Sequence, residues 1–315
     1  MAEAQVLDGM PRRLFAATPT RLTTWVDCPR RYRFTYLDPR PKGAPWAHSS
    51  MGAAAHNALR DWWNEPLAER TPDTAVALVR RRWLTDGFRD EAQSGQWREV
   101  MAAAAGKYVE GLDPREEPVG VERTVAATTS RLALSGRVDR IDDRVGGDGG
   151  RELVIVDYKT GRRTSTVEDA RSSLALAVYV AGARRTLHQR SRRVELHHVP
   201  TNTVVVFEHT EASLARQLAR ADEIGDEASD AQALWHESLR SKAEDAKAGD
   251  LDAVDAIDAV FAPRPSAACS WCDFRSSCPD GRDSSQSLVP WAALGESAGR
   301  APAQGLPPAG QLGAK

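Results

Sequence analysis

Nowhere in the 315 residues do about 18 apolar side chains run without interruption, so the sequence holds no segment suited to cross a bilayer as a helix. The opening stretch MAEAQVLDGMPRRLF lacks the apolar core of a secretory signal, from which a cytoplasmic protein is expected. A GxxxxGK[ST] phosphate loop is missing as well, which leaves ATP-driven work to some other chain. Charge of one sign is not in excess either. Lys and Arg number 42 against 44 Asp and Glu, a net charge of -2, so the molecule is no polycation and any nucleic-acid contact must use local patches. Cysteine is scarce, with 4 in the whole chain, and a protein of reducing surroundings rarely keeps them as disulfides.

What is present suffices for one large domain or two modest ones, since 41% of the residues are hydrophobic. Residues 1–17 read as a flexible leader and 284–315, rich in Ser, Pro, Gly and Ala without periodicity, as a disordered tail. Between them, residues 18–283 read as one domain. Thr20 to Leu37 has helical character broken by Pro29. Helices are expected over Met51 to Trp63, after Thr71 as N-cap with Pro72 in the first turn, and over Trp97 to Leu112. From about Val121 the period changes to that of strands, with Leu132, Leu134, Gly136 and Val138 alternating with more polar residues. Leu153 to Val156 is the next strand. Ser165 with Glu168 predicts a capping box opening a helix to Leu187, Arg193–Val199 and Thr203–His209 a hairpin, and 211–260 further helices.

The segment GRVDRIDDRVGGDGGRELVIVDYKTGR carries the most informative spacing. Asp139 and Asp157 lie nine positions either side of Asp148, the centre of GGDGG. A symmetric antiparallel hairpin would set the two acids opposite each other, roughly 5 Å apart at Cβ, with Lys159 on the same face and Tyr158 turned away. Facing carboxylates repel, and a divalent cation between them would relieve that repulsion. A solvent-facing hairpin with charged ends stays open on spacing alone, and a slip of one residue would turn one acid to the other face.

Two further clusters stand out. Arg30-Arg31-Tyr32-Arg33-Phe34 interleaves cations with aromatic rings, and Arg137, Arg140, Arg151, Arg162 and Arg163 crowd the hairpin; each reads either as a solvated face or as a nucleic-acid contact. Three of the cysteines form Cys269-x2-Cys272-x5-Cys278, and the fourth, Cys28, lies far upstream. Four cysteines in this pattern suit one metal centre, and the spacing fits zinc and an iron-sulfur cluster alike.

GRVDRID followed by ELVIVDYKTG resembles the paired motifs of the PD-(D/E)XK nuclease superfamily, most closely the branch with the RecB and AddB nuclease domains. The resemblance implies an α/β fold with a restriction-endonuclease-like core, a mixed central sheet flanked by helices, with helical additions. It implies a metal site for Mg2+ or Mn2+ held by Asp139, Asp157, His56 of MGAAAHNAL and the backbone carbonyl of Tyr158, with Lys159 as catalytic lysine. Glu122 is a further candidate ligand. Without the resemblance, a lone His56 on an apolar helical face reads as a core residue. The N-terminal cysteine and C-terminal triad resemble the iron-sulfur staple of AddB-type and CRISPR-associated nucleases, which implies a 4Fe-4S cluster on Cys28, Cys269, Cys272 and Cys278. Relatives carry glutamine one helical turn before a tyrosine after the DYK strand; here Tyr179 is present as a candidate DNA contact, but Ala175 stands at the glutamine position.

The expected function is a metal-dependent DNA nuclease, an exonuclease preferring single strands in repair or recombination. Arg30, Arg31, Tyr32, Arg33 and Phe34 are then expected to bind the strand, with a helicase as partner and no membrane. Two other classes compete. One is a non-catalytic iron-sulfur DNA-binding subunit of a helicase-nuclease complex, which Ala175 alone favours. The other is a zinc-stabilised interaction protein with the acidic run Glu237 to Asp258 as docking surface.

Overall fold

A computed structural model of the protein describes residues 14–147, 149–248 and 254–294. Strand β1 (Phe15–Ala17) comes first, where the sequence suggested a loose leader. Pro29 cannot continue a preceding helix, and the chain breaks at extended Cys28 into α1 (Pro19–Asp27) and α2 (Pro29–Tyr36). Helix α3 (Ala47–Asn64) buries Met51, Ala54, Ala55, Ala58, Leu59 and Trp62, the spacing of one helical stripe. Thr71 caps α4 (Pro72–Arg81) by accepting the Thr74 N–H at 3.1 Å, as its sequence predicts. Helix α5 (Glu91–Glu110) starts well ahead of the expected Trp97, because Asp90 accepts the Gln93 N–H and fixes an earlier first turn.

Strands β2 (Gly120–Thr128), β3 (Leu132–Val145) and β4 (Arg151–Lys159) follow as a meander. The capping box after β4 is Thr166 with Asp169, one residue beyond the expected Ser165–Glu168 pair. Its helix is also short. Ser173 caps a second one, so the expected single helix becomes α6 (Val167–Ser172) and α7 (Leu174–Leu187). Strands β5 (Ser191–His198) and β6 (Thr203–Glu208), helices α8 (Glu211–Ala248) and α9 (Val254–Val260) and the short α10 (Pro279–Asp283) complete the order.

The sheet is six-stranded among the described residues and runs β1-β3-β4-β5-β6, with β2 on the other side of β3. β1 is parallel to β3 and β4 to β5, while the remaining pairs are antiparallel. The unbroken apolar run of β4 follows from burial on both faces. Val154, Val156 and Tyr158 pack against α3, α4 and α5, whereas Leu153 and Ile155 pack with Ala177 and Val180 of α7. A third cluster joins α1, α2, α8 and α9 around Leu132 and Leu134.

Packing around that third cluster buries both rings of the expected strand-binding patch. Tyr32 is fully buried at 0% exposure, its hydroxyl accepting the Arg21 Nε–H at 2.9 Å, and Phe34 packs edge-on against Phe274. Arg33 pairs with Asp258 and lies over Trp235, and Arg30 donates to the Phe261 carbonyl at 2.9 Å. Arg31 pairs with Asp27. The rings of this run are helix-packing groups, since each would have to leave the core to stack on a base. The acidic run from Glu237 to Asp258 falls in part outside the described residues. At the other end, the described part of the expected tail, 284–294, packs Trp291 and Leu294 on the first cluster, and 295–315 lie outside.

Candidate metal-binding active site

The hairpin brings its acids together as its symmetry predicts. The β3–β4 ladder pairs Arg140 with Val156, which is the register that sets Asp139 opposite Asp157 at the next step. There the side chain takes over from the backbone: Asp139 Oδ2 accepts the Tyr158 N–H at 2.8 Å. Its other oxygen lies 3.3 Å from His56 Nδ1 on α3. Helix α3 is positioned by close approach at Gly52, where a Cβ would come within 3.0 Å of Thr160 Oγ1 just after the lysine.

Glu122 completes a group with His56 and Asp139 whose ligand atoms all lie within 4.8 Å of one another. The β2–β3 ladder pairs Val121 with Arg140 and Arg123 with Val138, so Glu122 is the residue facing Asp139. Its backbone is left-handed, with φ of 49°, a conformation that costs a non-glycine residue roughly 1–2 kcal/mol. Such strain persists where the surrounding structure fixes it, and here it accompanies a carboxylate set among site groups. Asp157 stands just outside the tight group, with Oδ2 2.6 Å from Lys159 Nζ.

The charges of the site are unbalanced toward the negative. Burial raises the Glu122 pKa and Asp139 adds to the effect, against Arg137. Burial likewise raises Asp157, with Lys159 opposing and Asp139 adding. For His56, burial disfavours the proton, yet contact with Asp139 and the fields of Asp157 and Glu122 prevail and raise its pKa. Burial also opposes the Lys159 charge, but Asp157 outweighs it and keeps the ammonium protonated at neutral pH. Oxygen-rich ligands plus one imidazole in a negative pocket form a donor set for a hard divalent cation, manganese included.

Tyr179 of α7 borders the same cavity of about 580 Å³ as His56, Asp139 and Glu122. Its ring lies over Gly136, where a Cβ would come within 2.4 Å of Cε1; the spacing that marked Tyr179 gave no sign of this partner. Burial and then the nearby acids push its hydroxyl pKa up to about 12. Ala175 is not among the residues lining the cavity.

The four cysteines are free and partly buried. Backbone N–H groups point at three of their sulfurs: Arg264 N lies 3.5 Å from Cys28 Sγ, Ser266 N 3.4 Å from Cys269 Sγ and Gly281 N 3.4 Å from Cys278 Sγ. Cys272 receives a backbone hydrogen bond from Phe274 and feels Cys28, while burial pushes its thiol up. Among the described residues, no three of the sulfurs gather at the mutual spacing of the His56 group. The triad loop also reaches α3. Trp46, at the start of that helix, donates to Asp273 Oδ1 at 3.0 Å, and its ring lies tilted against Trp271 at 5.1 Å between centroids.

A mixed sheet with flanking helices, whose central hairpin carries paired acids and a lysine beside an imidazole, defines a metal-dependent α/β nuclease. The chain belongs to the PD-(D/E)XK nuclease superfamily, whose family model matches residues 16–279. Among solved structures, a crystal structure from Eubacterium rectale described as "Putative exonuclease" covers 66% of this chain and 78% of its own at 12% identity, with a TM-score of 0.39. At that distance it carries no argument about activity. No curated protein matches the chain. Among the described residues, no helix is long and apolar enough to cross a membrane.

Proposed function

We propose that the protein is a metal-dependent deoxyribonuclease that hydrolyses phosphodiester bonds from strand ends. The observation that carries this reading is the tight His56–Glu122–Asp139 group beside the Asp157–Lys159 pair. A divalent cation held by Asp139, Asp157, His56, the Tyr158 carbonyl and Glu122 would supply an activated water and neutralise phosphate charge. Lys159, whose ammonium Asp157 favours, acts as a hydrogen-bond donor that orients the attacking water or stabilises charge on the phosphoryl oxygens. Asp157 holds that ammonium in place, and Asp139 ties the two strands together through the Tyr158 N–H. Tyr179 lies where it can meet the substrate beside the acids.

The four cysteines hold a 4Fe-4S cluster in this reading. Backbone N–H groups directed at the sulfurs favour thiolate ligands, as a metal centre requires. A single-strand preference rests on one active-site constellation acting on one strand, with a helicase partner in the cytoplasm supplying unpaired DNA during repair or recombination. The Arg30–Phe34 run lends it no support.

Labelled linear single strands, duplexes of matched sequence and circular single strands, each incubated with Mn2+ or Mg2+, test the proposal. Linear single strands should be degraded fastest, circles should survive, and EDTA or Asp139→Asn should stop the reaction. Undiminished cleavage in EDTA would sink the metal assignment, digestion of circles the end requirement, and equal rates on duplex the strand preference.

A further inference from the structure

Arg137 sits two residues before Asp139 on β3, borders the same cavity, and has a side chain 70% exposed. Its Nε lies 2.7 Å from Glu122 Oε2. It is the one Arg or Lys side chain among the residues lining that cavity. Its partner is tied down while it is not: Glu122 is on a strained left-handed backbone and only 15% exposed, whereas Arg137 reaches out to solvent. One carboxylate thus has two competing claims, an exposed guanidinium and the cation site that Glu122 shares with His56 and Asp139. A divalent ion carries twice the charge, and an ion pair with so exposed a partner is weak. Metal uptake should therefore win and leave the guanidinium free at the cavity mouth.

Resting on the nuclease reading above, we infer that Arg137 is a metal-released phosphate clamp: it covers Glu122 in the empty site and turns to the DNA backbone once the cation takes that carboxylate. A guanidinium with planar donors suits a phosphate diester, which it can grip through two parallel hydrogen bonds. The same cavity is also lined by the start of α1, at Thr18 to Thr20, where the positive end of a helix favours an anion. The order of events follows from the shared carboxylate. Without metal, Arg137 is occupied and substrate is held poorly; with metal, the same residue strengthens the grip. Cation and DNA then bind with positive coupling that passes through one side chain.

The test measures binding as well as rate. Mn2+ affinity is read by calorimetry without DNA, and single-strand affinity by anisotropy in Ca2+ and in EDTA, for wild type, Arg137→Ala and Arg137→Lys. Removal of the competing cation should tighten Mn2+ binding by about threefold to tenfold in Arg137→Ala. The same variant should lose about tenfold in single-strand affinity in Ca2+ but little in EDTA, with the salt slope reduced by about 0.7 for one lost phosphate contact. Arg137→Lys, which keeps the charge without the fork, should lie between. Unchanged Mn2+ affinity in Arg137→Ala, or an equal loss of DNA affinity with and without metal, would overturn the clamp while leaving the nuclease assignment standing. A wild-type protein that takes up no Mn2+ would overturn both.

Discussion

Asp139 accepts the backbone N–H of Tyr158 through one oxygen and faces His56 through the other. One side chain therefore closes the β3–β4 hairpin and orients the imidazole. Neighbouring Asp157 and Lys159 are placed by that closure, because Tyr158 lies between them and is buried on the opposite face against Trp63 and Tyr108.

Removal of the lysine should separate chemistry from folding. Lys159 is an ion-pair partner of Asp157 at a half-open position, with its own side chain 43% exposed. Lys159→Ala is expected to lower the cleavage rate by about 10²–10³, as loss of a charge-stabilising donor does, with an unchanged circular dichroism spectrum. Asp157→Asn should lose cleavage as fully. Wild-type rates in either variant would exclude the assignment.

The buried ring of α2 predicts a stability effect in place of a binding effect. Tyr32→Ala empties a site at the junction of α1, α2, α8 and α9 and should cost about 3–5 kcal/mol in unfolding free energy. Urea titration measures that loss. Single-strand affinity per folded molecule should stay at the wild-type level, and a selective loss of affinity at full stability would restore the stacking role rejected above.

The cysteines give a compositional prediction. Anaerobically purified protein should be brown, with iron and sulfide in near-equal amounts and little zinc. Cys28→Ser should destabilise as severely as Cys272→Ser, because a centre joining chain segments so far apart removes about 5 kcal/mol of unfolded-chain entropy by the cross-link argument. Colourless protein with stoichiometric zinc would refute the cluster.

Acid should unfold the protein in part through Glu195. Burial alone would raise its pKa, but His197, Arg144 and Arg193 hold it down at about 2. Folded Glu195 therefore releases its proton more readily than the unfolded residue, whose ordinary value is 4.5. Its stabilisation is complete above that value and is lost as pH falls from 4.5 toward 2, on the order of 3 kcal/mol. Glu195→Gln should flatten this part of a stability-versus-pH curve recorded by thermal melting. An identical acid limb in the variant would assign the effect to other groups.

Much of the site was legible because hairpins are symmetric. Counting outward from GGDGG gives the Asp139–Asp157 register, whereas Glu122, a bare candidate in the sequence, is set opposite Asp139 only by the pairing of β2 with β3 about Ser130 and Arg131. No spacing reveals the left-handed φ that accompanies Glu122 in the site, since that conformation comes from tertiary fit. The Arg30–Phe34 run misled for a related reason. Cations between aromatic rings have the same composition whether the rings meet bases or a core, and the cue to burial was the helical spacing of Leu22, Trp25, Tyr32 and Tyr36, interrupted by the break at Cys28. Helix starts were read well where Thr71 stands before proline and poorly at Asp90, where the cap precedes polar residues that show no apolar period.

Residues 273–294 hold the start of α3, the helix that carries His56, and the loop beyond Lys159. The Pro290 carbonyl accepts the Ala47 N–H at the start of α3, the Asp273 carbonyl accepts the Gly43 N–H, and the Ala293 carbonyl accepts from Arg162 beyond the lysine. During synthesis, His56 emerges from the ribosome long before the segment that anchors its helix. A nascent chain that has made α3 and the β3–β4 hairpin but not yet residues 273–294 would thus carry His56, Asp139 and Asp157 while lacking these anchors for α3.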